Sequence, residues 1–180
     1  IPFIVTSIGE NAFRSSSLEA IDLAEGVVTI GNYAFFGTNL KSVLLPASLV
    51  SLGAAAFDYC TSLESVSIPS GIDTIQYATF EDCKNLTSVM IPSNIRVISV
   101  DVFRSCTNLT TVNILQGVEF IGEGAFEACS KMESITLPSS ITKLGKYVFK
   151  QCIQLSNVTL LGTTPPTLDA DSESFDSCSL

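Results

Sequence analysis

The stretch IPSGIDTIQYATFEDCKNL at residues 68–86 is followed by IPSNIRVISVDVFRSCTNL at residues 91–109, with its apolar residues in the same places 23 positions on. Aligning the chain on these two units extends the register in both directions. Phe13, Phe35, Phe57, Phe80, Phe103, Phe126 and Phe149 recur every 22 or 23 residues. Five or six residues after each comes Leu18, Leu40, Leu63, Leu86, Leu109, Met132 or Leu155. Three further on stands a β-branched residue, from Ile21 to Val158, and two beyond that an aliphatic one, from Leu23 to Leu160. Two more apolar columns begin at Val27 and Ile30, and Ile1 holds the place of Leu23 in a truncated first unit. Seven registers of six columns define a solenoid.

Within each unit the first part alternates apolar and polar residues, the pattern of a strand with one buried face. Pro2, Pro46, Pro69, Pro92 and Pro138 follow that strand. Proline lacks a backbone N–H, so it ends the strand and turns the chain. Ala24 and Leu115 take its place in two units. A V-x-x-I segment then predicts a second short strand, closed by a corner at Gly9, Gly31, Gly53, Gly122 or Gly145. Glycine there implies positive φ or a close backbone approach. The Ala-Phe segment that follows is too short for a long helix and predicts a single helical or 3₁₀ turn.

A unit of this size cannot bury its own apolar face, so neighbouring turns must cover it. Stacking at about 4.8 Å per strand gives a parallel sheet roughly 30 Å long over seven turns. The phenylalanines then form an interior ladder. The whole chain, 1–180, reads as one array and as a piece of a longer protein, with no linker or composition shift dividing it. Phe175-Asp176-Ser177-Cys178 begins another unit, but Phe149 to Phe175 spans 26 residues. Residues 161–180 are therefore an irregular terminal repeat, with an insertion around Gly162-Thr163-Thr164-Pro165-Pro166.

Eighteen acidic against nine basic residues leave a net charge of −9, which opposes nucleic acid and anionic membrane surfaces. The uncharged stretch from Ser42 to Phe57 is interrupted by Pro46 and Gly53 and falls short of the ~20 apolar residues of a membrane span. The chain has no histidine. That removes the commonest general base, the commonest metal ligand and every Ser-His or Cys-His nucleophile. No phosphate-cradling glycine motif and no defensible carboxylate pair for glycoside hydrolysis is present. The reading is of a protein that is not an enzyme and takes no cofactor and no metal. Asp169-Ala170-Asp171-Ser172-Glu173 starts like a calcium loop, but no glycine follows where the loop needs one.

Cys60, Cys83, Cys106, Cys129 and Cys152 stand 23 apart, each three residues after a ladder phenylalanine, with Cys178 in the same slot after Phe175. Each fills the same position of its own turn, and parallel Cβ vectors disfavour the disulfide torsion. Buried thiols acting as small hydrophobes are expected.

The unit I-P-S-x-I-x-x-I-x-x-x-x-F-x-x-C-x-x-L, carried from Ile68 to Leu86 and Ile91 to Leu109, resembles the leucine-rich repeat of the BspA type. Val5 to Phe13 and Ile121 to Cys129 carry the same pattern. The resemblance covers nearly the whole chain. It implies a curved, right-handed leucine-rich-repeat solenoid, mostly strand and coil, with a parallel sheet on one face and short turns and loops on the other. It also implies a secreted or cell-surface protein of a host-associated microbe, and adhesion to an extracellular-matrix protein, a microbial surface protein or a glycan. The alternative is a structural spacer that projects another domain.

Leucine-rich repeats commonly bind through the sheet face, where three outward columns lie between the core residues. The first runs from Glu19 through Lys41, Glu64, Thr87, Thr110 and Glu133 to Ser156. The second is nearly all small residues, from Ala20 to Asn157, and the third runs from Asp22 through Leu44, Ser67, Met90, Asn113 and Thr136 to Thr159. The candidate binding residues on this face are Glu19, Lys41, Leu44, Glu64, Met90, Thr110, Asn113 and Glu133. A second candidate is the edge decorated by Tyr33, Phe36, Tyr59, Tyr77 and Tyr147, near the phenylalanine turns.

Overall fold

The computed structural model describes residues 4–180, so Ile1 and Pro2, the readings at the truncated start, lie outside the described residues. Every strand pairing is parallel, and partners come from successive turns. One series is made by the alternating segments: β3 (Ser42–Leu44), β5 (Ser65–Ser67), β7 (Ser88–Ile91), β9 (Thr111–Ile114), β11 (Ser134–Leu137) and β13 (Asn157–Leu160). Register follows the columns, with Val89 opposite Val112, Met90 opposite Asn113, and Ile135 opposite Val158. The pairs β3–β5, β7–β9 and β11–β13 are fully bonded, and a backbone bond from Thr87 N to Glu64 O (3.4 Å) bridges β5 and β7.

The proline turn closes as its chemistry requires. Pro46, Pro92 and Pro138 stand just past their strands and use the carbonyl they retain, accepting from Leu49, Ile95 and Ile141 at 3.0–3.1 Å. The second series follows: β1 (Ser7–Ile8), β2 (Thr29–Ile30) and β4 (Ser51–Leu52) form one run. β6 (Thr74–Ile75), β8 (Val97–Ile98), β10 (Phe120–Ile121), β12 (Lys143–Leu144) and β14 (Thr167–Leu168) form the other. The corner glycines after these strands do not have positive φ. Close approach explains four of them, Gly31, Gly53, Gly122 and Gly145, since a Cβ on Gly53 would lie 2.5 Å from Asn32 N of the preceding turn, whereas a Cβ on Gly9 would meet nothing within 4 Å.

The interior is a continuous phenylalanine stack. Centroids from Phe13 to Phe175 are 5.1–5.7 Å apart and adjacent rings lie within 19° of parallel. The aliphatic columns and the cysteines pack around it in one core. Phe175 joins at 5.5 Å from Phe149, and β14 pairs Thr167 with Lys143. One of the terminal unit's three extra residues thus falls in the 161–166 loop, and the other two fall between Leu168 and Phe175.

The phenylalanine turns differ from the helical turn expected. Bonds of the i→i−3 kind are present, as from Arg14 N to Asn11 O (3.1 Å) and Ser16 N to Phe13 O (3.1 Å). Yet in every turn the residues two before and two after the phenylalanine are left-handed, as at Tyr33 and Gly37, Ala55 and Tyr59, or Asp101 and Ser105. This alternation aims every second N–H along the stack. Phe13, Phe35 and Phe57 donate to Ala34, Ala56 and Thr79 of the following turn at 2.7–2.9 Å. The result is a third inter-turn ladder in which all donors point the same way. Left-handed L-residues cost about 1–2 kcal/mol each, and the inter-turn bonds with the packed ring offset that cost.

Candidate functional site

Each outward column of the sheet face is exposed along its described length, including Glu19, Lys41, Leu44, Glu64, Met90, Thr110, Asn113 and Glu133. The strand period explains this, because residues between core positions must point away from the core. Few of the eight meet through side chains. Lys41 Nζ lies 3.7 Å from Glu19 Oε2, an exposed pair of the sort worth roughly 0–1 kcal/mol. Met90 and Asn113 are cross-strand partners, and Thr110 Oγ1 donates to Thr87 O at 3.1 Å. Leu44 and Met90 are 74% and 58% exposed and sit two turns apart with Ser67 between them. The face is a flat polar strip bearing two isolated apolar side chains. It brings no convergent constellation of side chains together among the described residues.

Cavities lie elsewhere. One of about 410 Å³ is bounded by Leu137, Val158, Leu160, Pro166, Phe175 and Leu180, where the last turn leaves the core columns uncovered. Among the described residues no group of His, Cys, Asp or Glu is placed to hold a metal. Two acids of the terminal loop instead contact lysines, Asp169 with Lys143 at 2.9 Å and Glu173 with Lys150 at 2.6 Å.

The cysteines are free thiols, five of them fully buried and Cys178 partly so. They do more than fill space. Cys83, Cys106 and Cys129 each donate from Sγ to the phenylalanine carbonyl of the preceding turn (Phe57, Phe80 and Phe103) at 3.2 Å. Burial pushes these three thiols upward, which keeps them protonated as donors. In the first two turns the same slot holds Ser16 and Thr38, and Thr38 Oγ1 meets Cys60 Sγ at 3.3 Å. Cys106→Thr and Cys106→Val are isosteric and differ in the donor. Urea titration should find the valine variant less stable than the threonine variant by about 1 kcal/mol. A more stable valine variant would mean that the thiols act only as hydrophobes.

On the phenylalanine-turn edge, aromatic and acidic side chains gather. Arg14 stacks its guanidinium over Phe36 (4.6 Å) and Tyr33 (5.1 Å), and Phe36 lies 5.9 Å from the Tyr59 ring. Tyr59 and Tyr77 are 51% and 46% exposed. Asp58 precedes Tyr59, its Oδ1 buried and without a hydrogen-bond partner. Burial first, and then the neighbouring Asp82 carboxylate, push the Asp58 carboxyl up to about 6. Burial and then Asp58 push that of Glu81 up to about 7. Both groups hold protons more tightly folded than unfolded. Their contribution is therefore most favourable below the unfolded carboxylate range and is lost as pH rises through 6 to 7. Glu81→Gln should raise the urea midpoint relative to the parent, by a margin that grows between about pH 5 and pH 7.5. A margin that shrinks over this interval would contradict the assigned environment.

A parallel-stranded stack of short repeats around an aliphatic and phenylalanine core defines the chain as a leucine-rich-repeat solenoid. The pattern of the BspA type leucine-rich repeat region matches six copies over residues 1–110 and 74–180, and the chain belongs to that family. It is similar to a leucine-rich repeat protein of T. pallidum at 30% identity and TM-score 0.74, over 92% of this chain and 75% of that one. A leucine-rich repeat protein from Bacteroides ovatus shares 24% identity at TM-score 0.54, over 99% of this chain and 69% of the other. One from Eubacterium ventriosum shares 19% at TM-score 0.61, over 96% and 68%. Comparison with curated proteins gives no match. No helix among the described residues is long and apolar enough to cross a membrane.

Proposed function

We propose that this chain is a non-enzymatic binding module of a secreted or cell-surface bacterial protein, and that it engages a matrix protein, a microbial surface protein or a glycan through its sheet face. One observation carries the reading: three outward columns run exposed along the array, with Leu44 and Met90 standing out from small polar neighbours. A repeated flat strip suits an extended partner, since weak contact at each turn adds up along the stack and through multivalent display. Family membership supports a binding role and not a particular ligand. The remaining candidates, Glu19, Lys41, Glu64, Thr110, Asn113 and Glu133, would supply polar contacts around these two anchors.

The test is a binding screen of the 180-residue chain against immobilised matrix proteins and glycans, under reducing conditions so that scrambled thiols do not mimic adhesion. A saturable signal is expected, and Leu44→Glu with Met90→Glu should weaken it about tenfold or more while the fold is retained. A signal unmoved by that pair would place the partner off the sheet face. Silence across the panel would favour the spacer.

A further inference from the structure

The position after each ladder phenylalanine forms an outward column that reads Arg14, Phe36, Asp58, Glu81, Arg104, Glu127, Lys150, Asp176. From Glu81 onward, opposite charges alternate from turn to turn, and the alternation is used. Arg104 Nε lies 3.6 Å from Glu127, and Lys150 Nζ lies 3.8 Å from Asp176. It fails at one step, where Asp58 and Glu81 place two carboxylates in adjacent turns whose phenylalanine rings are 5.7 Å apart. Among the described residues no salt bridge ends on either. Nearby acids are already paired, Asp82 with Lys84 at 3.3 Å and Asp101 with Arg104 at 3.8 Å.

The same step is flanked by the two exposed tyrosines. Tyr59 N donates to Glu81 O, which sets Tyr59 beside Glu81 of the next turn. Ala55 N donates to Tyr77 O, which sets Tyr77 at the other end of the same turn. The Tyr77 phenol lies within the fields of Glu81, Asp101, Tyr33 and Asp58. Ring faces on this edge already serve as platforms for cations. Arg14 covers Tyr33 and Phe36, Lys84 lies 5.8 Å from the Tyr59 centroid, and Lys150 lies 4.7 Å from that of Tyr147. Among the described residues no cation covers Tyr77.

We infer that this edge is a second binding surface, for a lysine- or arginine-bearing peptide segment whose cationic side chain enters between Asp58 and Glu81 and packs on the Tyr77 ring. The inserted cation supplies the charge that the column lacks. The aromatic face adds cation–π attraction. A neutral glycan would stack on the rings and leave the two carboxylates uncompensated, so charge complementarity selects the peptide. The surface lies apart from the sheet columns, and its fate is independent of theirs.

The probe is a short oligolysine peptide, titrated into the 180-residue chain at about 0.15 M salt so that long-range attraction is screened, with neutral hexasaccharides in parallel. Saturable binding of the peptide is expected. Asp58→Asn with Glu81→Gln should weaken it about tenfold or more. Glu10→Gln with Asp73→Asn removes the same charge elsewhere on the exposed surface and should leave it unchanged. Tyr59→Ala with Tyr77→Ala keeps the charge and should weaken binding about threefold or more. Lowering the pH from about 7.5 to 5.5 should also weaken it, as Asp58 and Glu81 take up protons amid Asp82, Asp101, Tyr77, Arg14 and Arg104. Equal losses in the two charge-neutralised pairs would reduce the effect to net charge and overturn the site. So would saccharide binding in place of the peptide, or no binding of either.

Discussion

Replacing Phe103 by alanine should lower the stability of the array by about 3–5 kcal/mol, the range for deleting a buried aromatic ring. Phe103 is fully buried, with ring centroids 5.6 Å from Phe80 and 5.4 Å from Phe126, both close to parallel. Its removal deletes two stacking contacts and leaves a void that the backbone is poorly able to close. Phe103 N donates to Ala125 O at 2.8 Å, and its carbonyl accepts from Cys129 Sγ. Because each turn touches only its neighbours, the defect also weakens the coupling between the blocks on either side. Urea unfolding followed by circular dichroism should therefore show an earlier midpoint and a shallower slope. Phe13→Ala is the control: Phe13 is only partly buried and stacks on Phe35, so its loss should cost clearly less. Equal costs at the two positions would contradict nearest-neighbour stabilisation.

The second large effect is expected at Gly117, which follows Gln116 in a unit whose turn lacks proline. Its φ is +141°, and a Cβ built there would stand 2.1 Å from the carbonyl oxygen of Ser93 in the preceding turn. Both obstacles are backbone, so neither can rotate away. Gly117 is also tied in place, its N–H donating to Ser140 Oγ at 3.1 Å. Gly117→Val should cost about 2–4 kcal/mol from disfavoured φ and overpacking together, read as a fall in thermal midpoint. Gly9→Ala provides the contrast, because a Cβ there meets nothing within 4 Å. It should be neutral or stabilising by up to about 1 kcal/mol. A tolerated valine at Gly117 would mean that the turns can slide apart.

These two positions mark what sequence could and could not reveal. Phe103 was legible because one residue type recurs at one interval, and only a stack gives every copy the same environment. The sheet-face columns were legible for a related reason: strand period two separates core from surface without knowledge of any partner. Gly117 was not, since its need for glycine arises from the carbonyl of Ser93, 24 residues away. The left-handed pairs around each phenylalanine were hidden by their residues. Asn11, Gly37, Asp101 and Gly124 suit that conformation, while Tyr33, Ala55 and Tyr59 carry no such signal. The thiol slot looks hydrophobic in the sequence, and its donor role shows there only through Ser16 and Thr38 in the same position. The turn-edge charge column is visible in the sequence only after the phenylalanine register is used to line up Asp58 with Glu81. The aromatic residues there stand out in the sequence, whereas the broken alternation of charge does not.

The account rests on one physical claim, that three inter-turn ladders around a phenylalanine stack hold successive repeats as one rigid platform. Native-state amide hydrogen exchange tests it most directly, because Phe57, Phe80, Phe103 and Phe126 each donate a backbone N–H to the next turn at 2.8–3.0 Å. The account predicts that these four amides are among the slowest to exchange and that protection falls away toward Phe13 and Phe175. Fast exchange at Phe80 and Phe103, with slow exchange confined to the strand residues, would show that the phenylalanine turns are not bonded along the stack and would contradict it.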